Sequence, residues 1–175
     1  MIRAWVSATL AGCALAGCAT VQTRAAFEAF PDRFDAIQVM KVEGIVNGSP
    51  IKREFLVSVR RQGEDVEIVF MDPFWQKALL KVSYGTEGYS TTPLVEGAVL
   101  PFPGEEIVDS AREVFHWKGT LSAAGAAEIP TRRFAVTIGD VGGDAGCLFP
   151  RAMQLQPRAA DAPRLTITTK DWRCP

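Results

Sequence analysis

From Ile37 onward, apolar and polar residues alternate along most of the chain, the period-two pattern of strands with one buried face. Ile37 to Val46 (IQVMKVEGIV) is β-branched and mostly alternating, and Asn47-Gly48-Ser49-Pro50 after it is a strong turn signal. Ile51 to Arg61 sets Phe55, Val57 and Val59 on one face and Glu54, Ser58 and Arg60 on the other. Gln62 to Asp65 turns the chain into Val66, Ile68 and Phe70, and Leu80, Val82 and Tyr84 form the return strand. Gly85 to Gly88 turns again, and Tyr89 to Leu94 makes a further strand. Later, Phe134, Val136 and Ile138 alternate with Arg133, Ala135 and Thr137, and Gly139 to Gly146 reads as a flexible turn. Cys147 to Gln156 holds a strand with Met153 and Leu155, and Leu165 to Lys170 is the last, with Leu165 and Ile167 inward.

The period changes to that of a helix between Glu105 and about Trp117. Ile107, Ala111, Val114 and Phe115 form one apolar stripe there, and Glu105, Glu106 and Asp109 lie in the first turns, where acids suit the helix dipole. Gly119 is a plausible stop. Val21 to Phe34 reads either as a short helix broken at Pro31 or as a tether. The strand connections are too short for parallel crossovers. The expected fold is therefore mainly β with one or two helices (α+β), a curved antiparallel sheet of about ten strands. A sheet of that size must curl or close, and helices after the fifth strand would cover its open face.

One connection breaks the rule that turns are polar. Between Phe70 and Leu80 lies Asp72-Pro73-Phe74-Trp75. Asp72 and Pro73 suit a turn, Asp by accepting backbone hydrogen bonds and Pro by fixing φ. Phe74 and Trp75 either fold back to cap the end of the β-core or protrude to touch something apolar. Residue chemistry alone favours the cap.

The start of the chain changes the picture more than its composition does. Arg3 and the apolar run from Ala4 read as a targeting segment, shorter than the about 20 apolar residues of a membrane span. Leu10-Ala11-Gly12-Cys13 and Leu15-Ala16-Gly17-Cys18 both resemble the lipobox of bacterial lipoproteins. That resemblance implies cleavage before a cysteine whose thiol then carries palmitate-type acyl chains; the alternative is an ordinary secretory peptide cut nearby. Cys18 is the better candidate, because cleavage at Cys13 leaves an apolar region near the lower limit of about 7 residues. Residues 1–17 are thus a signal peptide, 18–34 a lipidated N-terminus, and 35–175 one domain. By the same resemblance, Ala19 after the cysteine favours sorting to the outer membrane.

Charge excludes more than it suggests. The formal net charge is −1, with acids and bases interspersed, which leaves no basic block for nucleic acid. With Cys13 in the signal and Cys18 acylated, Cys147 and Cys174 remain. In an oxidising compartment an even remainder reads as a disulfide, with two free buried thiols as the alternative. Two cysteines and the single His116 do not make a metal set. Ser110 and His116, six apart on one helix, do not face each other, and no nucleophile elbow is present, so no hydrolase constellation emerges. The acids of Gly139 to Gly146 lack the spacing of an EF-hand and the Lys-Ser/Thr of a P-loop.

Several of these pieces together resemble the LolA/LolB family of lipoprotein carriers, and LolB more closely. They are the lipobox, the run Val66 to Trp75, the acidic helix from Glu105 to Phe115, and the closing segments Phe149 to Leu155 and Leu165 to Trp172. The resemblance implies an incomplete antiparallel barrel with a helical lid and an apolar interior that takes acyl chains. It also implies that Pro73, Phe74 and Trp75 form a protruding tip facing membrane or cargo, which reverses the reading from residue chemistry. The stretch between Trp117 and Phe134 is shorter than in LolB, and Cys147 and Cys174 are no part of LolB's pattern, so a divergent relative with a smaller lid is expected.

The expected function is a non-enzymatic lipoprotein of the outer membrane, facing the periplasm, that binds an acyl-chain ligand or lipoprotein cargo, with a periplasmic LolA-like carrier as a candidate partner. The expected cavity residues are Val57, Val59, Ile68, Phe70, Leu80, Val82, Phe134, Val136 and Ile167. The competing expectation is a lipid-anchored scaffold of an envelope complex with a filled core.

Overall fold

The structure is a computed structural model that describes residues 27–28, 30–46, 48–96, 102–121, 127–143, 147–160 and 162–175. The expected signal peptide and Cys18 lie outside the described residues.

Alternation does produce the strands. In chain order they are β1 (Phe27–Glu28), β2 (Arg33–Val46), β3 (Ser49–Gln62), β4 (Asp65–Met71), β5 (Ala78–Gly85) and β6 (Gly88–Pro93). Helix α1 (Gly104–Phe115) follows, then β7 (Thr120–Leu121), β8 (Ala127–Pro130), β9 (Phe134–Gly142), β10 (Phe149–Pro157) and β11 (Arg164–Arg173). Nine of them form one antiparallel sheet in the order β6-β5-β4-β3-β2-β11-β10-β9-β8, and β1 pairs with β7 apart from it. The main sheet thus has nine strands where about ten were expected. It is curved and open, because β6 and β8 are not paired with each other.

Two further expectations are corrected. The described part of Val21 to Phe34 is not helical: Phe27–Glu28 is a strand, and β2 begins at Arg33 because Phe34 is in phase with Ala36, Met40 and Val42 on the buried face. Strand β9 runs on to Gly142 through residues read as a turn, since Gly142 and Val141 pair with Phe149 and Pro150. Among the described residues α1 is the one helix, so the lid is a single element.

The inner face carries the core, from Phe55, Val57 and Val59 on β3 through Ile138 on β9 to Phe149 on β10. Helix α1 lies over that face. It buries Val108, Ala111, Val114 and Phe115 and half-buries Ile107. A row of ion pairs ties it to the β8–β9 turn: Glu106 to Arg133 at 2.7 Å, and Asp109 and Glu113 to Arg132. Gly44 of β2 permits a close approach at the β10–β11 turn, where an added Cβ would lie 2.7 Å from Pro163 Cα.

Register sorts the turns into two poles. Arg33 pairs with Gln62, so the start of β2, the β3–β4 turn and the C-terminus lie at one end. Leu56 pairs with Met71 and Phe134 with Pro157, so the turns β2–β3, β4–β5, β8–β9 and β10–β11 lie at the other. The α1 C-terminus is at the first pole and its acidic N-terminal half reaches the second.

Cys147 and Cys174 form a disulfide across 27 residues. Breaking it with Cys147→Ser and Cys174→Ser is expected to cost about 2–4 kcal/mol, because the open chain regains loop entropy. Urea unfolding checks this, and a loss under about 1 kcal/mol would refute it.

Candidate functional site

Between α1 and the sheet is an apolar cavity of about 100 Å³. Roughly 10–15 Å³ suffices for one water, so this is more than a packing defect. Six of the nine expected residues line it: Val57, Val59, Ile68, Phe70, Phe134 and Ile167. Leu80, Val82 and Val136 are buried but do not line it. On β5, Leu80 stands between Phe70 and Pro93 and Val82 between Ile68 and Thr91 in the strand register, and Val136 stands opposite Ile129 in the β8–β9 pair. The rest of the wall was not foreseen. Met40 and Met153 add two adaptable thioethers, and α1 contributes Ala111 and Val114 as a roof. Gln38, Glu106 and Ser110 are its polar members.

The β4–β5 turn sits at the second pole. Asp72 accepts hydrogen bonds on one carboxylate oxygen from the backbone N–H of Phe74 (2.9 Å) and of Trp75 (2.8 Å). Asp72 N–H donates to Lys77 O, and Gln76 N–H to Asp72 O, each at 2.9 Å. Gln76 takes φ +51°, a left-handed conformation that a non-glycine residue holds only when its surroundings enforce it. These bonds fix the backbone, yet the aromatic rings above it touch little: Phe74 is 88% exposed and Trp75 85%. Pro73 is half-buried beneath them. The core-cap alternative is therefore not what the geometry shows, and the protruding arrangement is.

A buried cation secures the first pole. Arg61 is 3% exposed. Its guanidinium donates to Phe115 O at the end of α1 (2.7 Å), to Phe30 O (3.2 Å), Pro31 O (3.3 Å) and Gly63 O (2.9 Å), and to Asp32 Oδ1 (3.0 Å). It also lies 3.4 Å from His116 Nδ1. A guanidinium only donates, so Nδ1 faces it as a lone pair and the imidazole is neutral. Burial holds the His116 pKa below its usual value, and the charge of Arg61 adds to this while Glu64, 3.5 Å from Nδ1, opposes it. The Glu64 contact is accordingly no salt bridge at neutral pH. Burial also raises the pKa of the Tyr84 hydroxyl, which has no hydrogen-bond partner among the described residues, and the Arg112 guanidinium lies over its ring at 5.2 Å.

With the His116 pKa lowered by folding, the unfolded chain takes up the proton first as pH falls through about 6.5. Stability is complete above that pH and declines below it. Thermal melts between pH 7.5 and 5.5 should show this decline, and His116→Asn should flatten it.

An open, curved antiparallel sheet, a helical lid and an apolar cavity between them define a LolA-like fold. A LolA superfamily protein from Nitrosomonas europaea is similar to this chain at TM-score 0.51 and 9% identity, covering 84% of this chain and 88% of that one. A DUF1329 family protein from Desulfovibrio piger gives TM-score 0.39 at 10% identity, covering 82% of this chain and 85% of that one. No family model and no curated protein matches the sequence.

Proposed function

We propose that this protein is a lipid-anchored, non-enzymatic acceptor at the outer membrane that holds an acyl chain under α1 and passes it to the membrane. The apolar cavity carries this reading, since each buried CH₂ of a chain contributes about 0.8 kcal/mol there. Cys18 supplies the acyl anchor, and the domain faces the periplasm, where a LolA-like carrier would deliver cargo. Transfer then follows differences in affinity among carrier, cavity and bilayer. Phe74 and Trp75 at the second pole are the parts that meet lipid.

Protein extracted from membranes in mild detergent is expected to yield a non-covalent acyl lipid by mass spectrometry of the organic extract. The stripped protein should bind a fluorescent fatty acid saturably. No co-purifying lipid together with no saturable binding would end the ligand reading and leave the scaffold role.

A further inference from the structure

The cavity wall holds one polar side chain that packing does not require. Gln38 lies on β2 in the inward register between Ala36 and Met40 and is 3% exposed. A valine there would need nothing, whereas a carboxamide brings two N–H donors and an oxygen acceptor out of water. Its cross-strand neighbour Thr169 on β11 meets part of that need. Gln38 Nε2 donates to Thr169 Oγ1 at 3.3 Å, and the Thr169 hydroxyl donates to Pro150 O at 2.6 Å. Since the hydroxyl gives its only proton to Pro150, it can only accept from Gln38, which sets the amide with its nitrogen on Thr169. No donor from the described residues reaches the carboxamide oxygen, and the side chain lines the cavity. Of the other polar residues in the wall, Glu106 is paired with Arg133, and both Glu106 and Ser110 lie on the helix.

We propose that Gln38 is a specificity determinant of the cavity, and that the preferred ligand is an acyl chain bearing a hydroxyl that donates to the Gln38 oxygen. This rests on the acyl-chain reading above and narrows it. A plain methylene chain laid against that oxygen strips it of water and returns nothing. A hydroxyl restores the bond and can accept the second Nε2 proton as well. The relay through Thr169 and Pro150 is anchored on two strands, so the amide meets the ligand without reorganising.

The test is displacement of a fluorescent fatty acid by stearate and by hydroxystearates carrying the hydroxyl at successive positions. With wild-type protein, one hydroxyl position should outcompete stearate by about three- to tenfold, the worth of one neutral hydrogen bond. Gln38→Met should bind stearate at least as well and lose that advantage. Thr169→Val, which frees the amide, should shrink it. If stearate displaces the probe and no hydroxyl position does better, the specificity role is wrong while the acyl-chain reading stands. An advantage that persists in a folded Gln38→Met protein also overturns it. If neither stearate nor any hydroxystearate displaces the probe, both fall together. The wild-type titration decides even where a variant fails to fold.

Discussion

Arg61→Met should lower the stability of the domain by about 3–5 kcal/mol, a drop of roughly 6–20 °C in melting temperature for a chain of this size. The guanidinium is the shared donor for carbonyls from three places: the chain before β2, the β3–β4 turn and the last turn of α1. Methionine fills much of the same space but donates nothing. The carbonyls of Phe30 and Phe115 would then be buried without those bonds, at about 1–3 kcal/mol for each such group. The cation also lies at the C-terminus of α1, where positive charge is favoured. Arg61→Lys should rescue little, because a compact ammonium cannot reach five acceptors in a planar fork. Urea unfolding measures both variants. A loss below about 1 kcal/mol for Arg61→Met would mean that water replaces the guanidinium and that the pole is wet.

The second large effect separates function from stability. Replacing both Phe74 and Trp75 with Glu should slow transfer of bound lipid to phospholipid vesicles about 100-fold and leave the melting temperature unchanged. The rings are almost fully exposed, so the fold gives up no packing when they go. Fully burying such a side chain in an apolar medium is worth about 1.5–3 kcal/mol, and even partial insertion of two rings reaches the roughly 2.8 kcal/mol behind a factor of 100. Asp72→Ala should give a smaller defect, since it loosens the backbone that holds the rings outward. Transfer at the wild-type rate by the double variant would rule out a membrane role for the turn. Loss of a protein partner with transfer intact would favour the scaffold.

Much of this site could be read in the sequence because strand periodicity carries it. Val57, Val59, Ile68 and Phe70 were placed inward by alternation alone, and all four line the cavity. Alternation gives the face but not the depth, which is why Leu80 and Val82 were expected in the cavity wall and are instead buried on β5 without lining it. Arg61 is the instructive omission. It is in phase with Phe55, Val57 and Val59, and that phase was the signal that this arginine points inward. Its hydrogen-bond partners are backbone carbonyls, which no residue pattern reveals. Gln38 was hidden in the same way, a polar residue in an inward register whose partner, Thr169, lies 131 positions away. Residue chemistry set Phe74 and Trp75 inward as a core cap, because large aromatics are usually buried, and only the family resemblance set them outward, where the structure has them.

The opposition of the two poles has a consequence for an anchored protein. Chain leaving β2 toward Cys18 departs from the end of the sheet away from the aromatic turn. Six residue steps, from Gln62 to Leu56, separate those levels, roughly 20 Å at strand spacing. Ahead of the paired strand β1, the nine residues from Cys18 to Ala26 would span about 30 Å if extended. With Cys18 acylated as proposed, a leash of that reach would exceed the separation of the two levels and would let the domain turn over on its anchor. Under that proposal, the rings of the upright domain would face away from the anchoring leaflet, where a donor would come from, and those of the inverted domain would rest on it. Deleting half of the leash should trap the upright posture and stop delivery while loading continues.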